Sequence, residues 1–277
     1  MSKIEKALKK AYEQKKKNLN LNSSGGQNYV EYESEVEVSK DEEKDSGFIP
    51  LDRDSQDKDK VYFEELVEKQ IIYPGMESRE ITNAFRDLRT QLLQKSHNTN
   101  FTVLITSAIE GDDSCFVAIN LAAAFSLDET KTSLVVDCEL ASPKVHEVLG
   151  LDVEFGVLDY LTDSAVDVSS IIYQVGIERL RIIPSGSQKS RRSEYFNTAK
   201  MKSLLTDLTD RYNNRYIFVS APAVTKSADT KILAEMCDFI ILVVPYGKIS
   251  DSNLQAVYDD LPREKVVGSV FNNIPNI

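Results

Sequence analysis

The chain has 277 residues, of which 42% are hydrophobic, which suits one sizeable α/β domain with extensions. Its formal net charge of -11 disfavours a nucleic-acid partner, because most of the surface would repel a polyanion. No apolar run approaches the roughly 18–20 residues that span a bilayer, and no secretory signal is visible. The three cysteines lie far apart without metal-ligand spacing, so we expect reduced thiols, no metal and a cytoplasmic location.

Residues 1–17 have the pattern of a basic amphipathic helix. Ile4, Leu8 and Tyr12 fall on one helical stripe, and lysines cover most of the remaining surface. Such a helix can dock on a partner or lie on an anionic membrane, which would place the protein at the inner face of the cell membrane. A solubilising, partly frayed terminus is the alternative.

Residues 18–75 are predicted to be an acidic, largely disordered linker, because few large apolar groups are present to offset the entropy of ordering. Tyr29 and Tyr32 stand in its acidic run NYVEYESEVE as candidate phosphorylation sites, or as ordinary solvated tyrosines. Residues 61–73 are predicted to include a short helix that docks on the domain.

Strands and helices alternate through residues 76–277. A helix over SREITNAFRDLRTQLL comes first, with Ser78 or Thr82 able to cap its start. This arrangement predicts a mostly parallel sheet with helices on both faces and ligands at the carboxyl ends of the strands. The predicted strands are Phe101–Thr106, Ser133–Val136, Leu180–Ile183, Tyr216–Val219, Phe239–Val244 and Val266–Phe271.

The stretch SAIEGDDSCF, residues 107–116, lies between the first strand and a helix predicted over Cys115–Phe125. A strand, a tight turn and a helix N-terminus present free N–H groups and a positive dipole end to an anion. This turn nevertheless carries Glu110, Asp112 and Asp113 and no lysine. Asp113 would cap the helix that begins near Ser114, which would put a carboxylate where a phosphate would otherwise bind.

Nearly all of residues 77–277 resembles the cytoplasmic domain of the bacterial tyrosine kinases of capsule and exopolysaccharide synthesis. These kinases are P-loop ATPases of the group that includes Mrp, MinD and ParA proteins, so the resemblance implies a P-loop NTPase-like fold. The motifs that carry it follow the family's order: AFRDLRTQL, NLAAAFS, LVVDCELASPKVHEVLGL, GVLDYLT, RIIPSG, KMKSLLTDL, ILAEMCDFIILVV and VVGSVFNN.

The nucleotide loop that the resemblance implies is altered. Family members carry A-x-P-G-E-G-K-[ST], whereas residues 108–115 read AIEGDDSC. Ser114 therefore replaces the phosphate-binding lysine, Cys115 replaces the Mg²⁺-binding hydroxyl residue and Asp113 replaces a glycine. The resemblance places a vestigial nucleotide pocket at Gly111, Asp112, Asp113, Ser114, Cys115, Asp137, Glu139, Ser220 and Asn272.

Other parts of the family's machinery are also altered. The D-x-D-x-R motif reads DCELA at residues 137–141, the D-x-P-P motif reads SAPA at residues 220–223, and the C-terminal tyrosine cluster is absent. Each charge lost or reversed near a triphosphate is worth roughly 3 kcal/mol at about 5 Å and an effective dielectric near 20. We therefore expect no catalytic residues and no cofactor, unless a lysine such as Lys144 or Lys226 restores binding of ATP and Mg²⁺. A cation at Asp112 and Asp113, or a reactive Cys115 thiol, is a further alternative.

The resemblance then implies a pseudoenzyme, a non-catalytic binding, scaffold or regulatory component of exopolysaccharide synthesis and export. Its implied partner is the membrane protein that controls polysaccharide chain length (a copolymerase) or an active kinase of the same family. Family rings form through E-x-x-R-x-x-R, which reads NAFRDLR over residues 83–89, so Arg86 and Arg89 are candidate contacts in a homo- or hetero-oligomer or ordinary solvated residues. The alternatives are an atypical active tyrosine kinase or ATPase and a MinD/ParA-like spatial regulator at the membrane.

Overall fold

The computed structural model describes residues 63–76, 79–111, 114–140, 142–186, 195–210 and 215–274. Several of the sequence predictions fall outside these ranges. They concern the basic segment with Ile4, Leu8 and Tyr12, the linker up to residue 62 with Tyr29 and Tyr32, Ser78, and the loop residues Asp112 and Asp113.

Helices and strands alternate along the described chain. The elements are α1 (Phe63–Glu68), α2 (Arg79–Lys95), β1 (Thr102–Ser107), α3 (Ser114–Ser126), β2 (Thr132–Asp137), α4 (Val145–Leu149), α5 (Val157–Thr162), β3 (Tyr173–Gln174), β4 (Leu180–Ile183), α6 (Ala199–Asp210), β5 (Arg215–Ser220), α7 (Ala228–Met236), β6 (Phe239–Pro245), α8 (Asp251–Asp259) and β7 (Val266–Asn272). Short 3₁₀ turns occupy Val168–Ile171 and Arg263–Lys265. Thr82 lies inside α2 and is buried, so the prediction that it could cap this helix is wrong.

The seven strands form one sheet in the order β3-β4-β2-β5-β1-β6-β7. Only β3 runs antiparallel to its neighbour, and all other pairs are parallel. The central strands β1 and β5 are buried along their whole length because helices cover both faces. The predicted mostly parallel α/β sheet is therefore confirmed, with β3 as an additional short strand.

Two hydrophobic clusters lie on opposite faces of the sheet. The first is built by α1, α2 and α3, with Leu66, Phe85, Leu92 and Phe125 among its buried side chains. The second is built by the helices α5 to α8, with Leu158, Met201, Leu204, Leu233 and Val257 among its buried side chains.

The central helix of the first face is α3. Twelve of its thirteen residues are buried, which explains why its sequence is apolar all round rather than amphipathic. A hydrogen bond from Ser133 Oγ to the Ala122 carbonyl oxygen (2.6 Å) attaches it to β2. Core packing therefore holds α3 in place, and the N-terminal end of this helix borders the candidate site.

A short N-terminal segment packs under this helix. A helix does form within residues 61–73, at α1, and the side chains of Leu66, Ile71 and Ile72 are fully buried in the first cluster. The Ile72 N–H donates to Asn120 Oδ1 at 2.8 Å, which ties the segment to the middle of α3. Residues 63–73 thus pack as part of the folded domain.

Candidate functional site

The loop between β1 and α3 has strand–turn–helix geometry. The Ala108 N–H donates to the Val243 carbonyl oxygen (2.9 Å), which keeps the chain beside β6 as it leaves β1. Gly111 is exposed and adopts φ +90°, a left-handed conformation that residues with side chains rarely adopt. The helix α3 then begins at Ser114, as the sequence predicts.

The first two residues of α3 are buried. Ser114 is 8% exposed, and its Oγ donates to the Ala221 carbonyl oxygen at 3.4 Å. Cys115 is 5% exposed and forms no disulfide. Both side chains are therefore enclosed by protein atoms.

The chain after β5 is fixed against the same loop. Two hydroxyl groups, Thr106 Oγ1 and Thr230 Oγ1, donate to the Pro222 carbonyl oxygen at 2.6 and 2.8 Å. The Val224 N–H donates to the Ser107 carbonyl oxygen (3.0 Å). Ser220, the last residue of β5, is buried and lies opposite Asp137 in the sheet register. These bonds hold the carboxyl ends of β1, β2 and β5 together as one surface.

Asp137 is a fully buried carboxyl group at the end of β2. Its Oδ1 accepts the N–H of Glu139 (3.0 Å) and its Oδ2 accepts the N–H of Val145 (3.2 Å). Burial raises the pKa of Asp137 to about 7, although these N–H bonds act in the opposite direction. By accepting these two hydrogen bonds, the buried carboxyl group holds the β2–α4 loop in place.

Glu139 lies on this loop between charges of both signs. Burial raises its pKa, while the nearby ammonium groups of Lys226 and Lys144 lower it. Its Oε1 atom is enclosed and has no hydrogen-bond partner among the described residues. Two lysines, Lys226 and Lys144, could replace the lost phosphate-binding lysine according to the sequence. Both therefore lie near Glu139.

Lys226 forms an ion pair with Glu110, with its Nζ 2.7 Å from Oε1. The hydrogen bond to Glu110 raises the pKa of Lys226. Sequence reasoning missed this pairing, because the two residues follow different strands far apart in the chain and no local pattern connects them. Lys226, one of the two candidate substitutes for the lost lysine, is thus already paired with a carboxylate of the loop.

The remaining predicted residues lie elsewhere. Asn272 ends the edge strand β7 opposite Pro245, and its carbonyl oxygen accepts the Tyr246 N–H (3.0 Å). Arg86 is exposed on α2, whereas Arg89 is half-buried and donates from Nη1 to the Ala124 carbonyl oxygen at 2.8 Å. Arg89 is therefore engaged with α3 of its own chain.

Across the described ranges, no group of three or more His, Cys, Asp or Glu side chains is arranged to hold a metal ion. In the same part of the chain, no helix has both the length and the apolar character needed to cross a membrane.

Comparison with known proteins identifies similar sequences and a similar fold. No family model matches the sequence. The chain is 27% identical over 197 residues to the putative tyrosine-protein kinase EpsB of Ralstonia solanacearum, covering 70% of this chain and 26% of EpsB. It is 25% identical over 191 residues to the tyrosine-protein kinase YwqD of Bacillus subtilis (strain 168), covering 68% of this chain and 79% of YwqD. The kinase domain of the Escherichia coli tyrosine kinase ETK matches with a TM-score of 0.64 and 22% identity, covering 70% of this chain and 75% of that chain.

The chain is thus similar in sequence to proteins named as bacterial tyrosine-protein kinases. Its fold is the P-loop NTPase-like fold of such kinase domains, with a mostly parallel seven-stranded sheet. The resemblance and the fold class predicted from the sequence are therefore confirmed. The match spans only 26% of EpsB, so the activity of that whole protein does not carry over to this chain.

Proposed function

We propose that this protein is a non-catalytic relative of the bacterial tyrosine kinases, acting as a binding, scaffold or regulatory component of exopolysaccharide synthesis and export. The observation that carries the proposal is the start of α3. Where the resembled loop has a lysine and a Mg²⁺-binding hydroxyl residue, this chain has Ser114 and Cys115, both buried. Neither side chain can offer a positive charge to a phosphate.

The charges around the loop support this proposal. Phosphoryl transfer depends on positioning and on positive groups that stabilise the transferred phosphoryl oxygens. In this geometry the Lys226 ammonium group is paired with Glu110, whose carboxylate adds negative charge beside the loop. A triphosphate would have to displace Glu110 from Lys226 before it gained any attraction from this lysine.

The metal ligands are also unsuitable for Mg²⁺. This ion requires hard oxygen ligands in near-octahedral geometry, and the Cys115 thiol is a soft ligand. Ser220 stands where the resembled strand ends in an acid, and both carboxyl oxygens of Asp137 accept backbone N–H groups. The residues present therefore do not fit a Mg²⁺–nucleotide complex.

The proposed partner is either the membrane protein that controls polysaccharide chain length or an active kinase of the same family. Arg86 supports a contact through α2, because its side chain is exposed while Arg89 is bonded to Ala124. An oligomer that uses this face would depend on Arg86 more than on Arg89.

The second candidate function is an atypical kinase or ATPase, and one observation favours it. Lys226 lies beside the loop, so movement of Glu110 would leave an ammonium group available for a phosphate. In that case Lys226 would take the role of the lost lysine. A membrane-bound spatial regulator is a third candidate, and it would require residues 1–17 for its localisation.

Calorimetric titration of the full chain with ATP and ADP, with and without Mg²⁺, tests the proposal. We expect no binding up to millimolar nucleotide for the wild-type protein and for the Lys226→Met variant. The double variant Ser114→Lys with Asp113→Gly should gain measurable binding, because it restores the lysine and removes one carboxylate from the loop. Micromolar binding by the wild type that is lost in Lys226→Met would overturn the proposal in favour of the second candidate.

A further inference from the structure

One edge of the sheet is long and open. β7 is the last strand in the sheet order, and no strand of the described ranges pairs with its outer side. The Asn272 carbonyl oxygen accepts the Tyr246 N–H from the β6 side, so the backbone groups of Val270 also point toward β6. Because these groups alternate along a strand, the N–H and C=O groups of Ser269 and Phe271 point outward.

This edge is also apolar and uncharged. Edge strands in soluble proteins are usually very short or carry lysine, proline or inward-pointing charges. The opposite edge strand, β3, has two residues, whereas β7 has seven, and its sequence VVGSVFN contains neither charge nor proline. Of the three large hydrophobic side chains that are exposed in the described ranges, two lie at this corner of the sheet, Phe271 at 56% and Tyr246 at 54%. An edge of this kind favours pairing with another strand.

The regular part of the edge is short, because irregular backbone bounds it on both sides. A bulge shifts the pairing with β6 between Val266 and Gly268, which leaves an extra residue near the start of β7. At the other end, Asn273 has φ 59°, a left-handed conformation that ends the strand. The outward groups available for a regular ladder are therefore those of Ser269 and Phe271.

We propose that β7 of one copy pairs antiparallel with β7 of a second copy, about a two-fold axis that passes beside Val270. Ser269 of each copy then lies opposite Phe271 of the other copy, and each such pair exchanges both of its N–H···O=C bonds. Because the same surface is used on both copies, every outward donor of this ladder meets an outward acceptor.

The same pairing covers the exposed ring. Ser269 lies on the α8 face of the sheet, because its hydroxyl group contacts the Tyr258 hydroxyl group, and Phe271 lies on the same face by alternation. In the two-fold ladder the two Phe271 residues are diagonal neighbours, about 7–8 Å apart, which is within reach of aromatic side chains. A strand of unrelated sequence would bond to the same backbone groups but would not supply this second ring. This is why we favour a second copy as the occupant.

The local charges allow this contact although the formal net charge is -11. β7 carries no charge, so the ladder places no like charges opposite each other. The two-fold relation brings the start of one strand toward the end of the other, so the exposed Glu264 lies on the side of the exposed Lys248 of the second copy. The other charges before β7 are bonded within their own chain, Arg263 to Asp259 and Lys265 to backbone carbonyl oxygens.

The dimer should be weak and reversible. Stable interfaces bury about 1,200–2,000 Å² in total, and one short ladder with its flanking rings makes a smaller contact. We therefore expect association at about 1 mM protein and dissociation at about 5 μM.

Residue-resolved hydrogen exchange on the full chain, labelled at these two concentrations, tests the proposal together with sedimentation. The Ser269 and Phe271 N–H groups should exchange at least about tenfold more slowly at the higher concentration, because the second copy covers them. The Val270 N–H faces β6 and should be equally slow at both concentrations. It serves as the internal reference.

Three variants locate the contact. Phe271→Lys changes an exposed side chain, so it should fold normally while losing both the dimer and the concentration dependence of exchange. Val67→Lys is the matched control, because it changes the remaining exposed hydrophobic side chain, which lies on α1. Arg86→Ala tests the α2 face. Both of these variants should keep the dimer.

Three results would overturn the proposal. Fast exchange at Ser269 and Phe271 at both concentrations would mean that the edge is uncovered. Slow exchange at both concentrations in a protein that sediments as a monomer would mean that another part of the same chain covers it. A dimer that survives Phe271→Lys would place the contact on another surface. No nucleotide enters these measurements, so their failure leaves the proposed non-catalytic function to its own test by nucleotide titration.

Discussion

Lys226 Nζ and Glu110 Oε1 lie 2.7 Å apart and join the loop after β5 to the loop after β1. Both side chains reach solvent, with exposed fractions of 34% and 69%. Ion pairs of this kind are screened by water and salt and lose side-chain entropy when they form. We infer that the pair mainly sets the net charge at the loop after β1 and contributes little to the stability of the fold.

The first prediction concerns the strength of this ion pair. A double-mutant cycle with Lys226→Met and Glu110→Gln should give a coupling free energy of about 0.2–1 kcal/mol in urea unfolding, because the pair is exposed. The coupling should decrease as salt is added. The Lys231–Asp260 pair, at 2.9 Å and similarly exposed, is the matched control and should behave in the same way. A coupling above about 3 kcal/mol would show that water is excluded from the Lys226–Glu110 pair.

The second prediction concerns the pH dependence of stability through Asp137. Burial raises its pKa in the folded protein to about 7, compared with ~3.9 for an exposed aspartate. At a pH between these two pKa values, the folded protein keeps the proton and the unfolded chain loses it. The free energy of unfolding therefore falls as pH rises. Asp137→Asn removes this titration, and its free energy of unfolding relative to wild type should therefore increase with pH over the same window.

Urea unfolding of both proteins at several pH values from about 4 to about 8 measures this difference. Glu139 and Asp229 also have pKa values raised by burial, but they are present in both proteins and their contributions largely cancel. A difference that stays constant with pH would contradict the prediction.

The third prediction separates the two arginines of α2. Arg89→Ala should lower the free energy of unfolding by about 1.5–3 kcal/mol, because it removes a charged donor that bonds to the Ala124 carbonyl oxygen at 2.8 Å. Arg86→Ala should change it by less than about 0.5 kcal/mol, because this side chain is exposed. Chemical denaturation of the two variants provides the comparison. Equal losses of stability would mean that Arg86 is also bonded within the domain.

The fourth prediction concerns a close approach of two backbone segments. A Cβ atom added to Gly156 would lie 2.3 Å from both Gly186 N and the Pro184 carbonyl oxygen, so the backbone must shift. Gly156→Ala should therefore destabilise the protein by about 1–3 kcal/mol. Gly268→Ala is the matched control, since a Cβ there meets nothing within 4 Å and φ is not left-handed. Thermal unfolding of both variants checks the prediction, and a normal transition for Gly156→Ala would contradict it.

The strands inside the sheet could be predicted well because they are buried on both faces, and the partly exposed edge strand β7 could be predicted from its apolar, β-branched sequence. Each of the six predicted strands occurs within about one residue of its predicted bounds, since a doubly covered strand is a continuous apolar run between polar turns. β3 could not be predicted, because this strand has only two residues, Tyr173 and Gln174, and both are half-buried. Its position depends on pairing with β4 and on the Tyr173 hydroxyl, which contacts the backbone of Glu154 and Phe155.

Parts of the candidate site follow from topology and others do not. Asp137 and Ser220 lie at the carboxyl ends of the adjacent strands β2 and β5, and Ser114 begins the helix that follows the neighbouring strand β1, which is expected once the strands are parallel. The bond between Arg89 and Ala124 and the ion pair between Lys226 and Glu110 were not predictable. Periodicity determines which face of an element is buried, but it does not specify which distant polar groups meet.

The attachment of Ile72 to Asn120 has a mechanical consequence. The backbone of the N-terminal segment is bonded at 2.8 Å to the middle of α3, the same helix whose first residues are Ser114 and Cys115. A pulling force on the preceding chain would therefore act first on α1, whose Leu66 side chain is buried, and would then reach the helix that begins at the altered loop through the bond between Ile72 and Asn120.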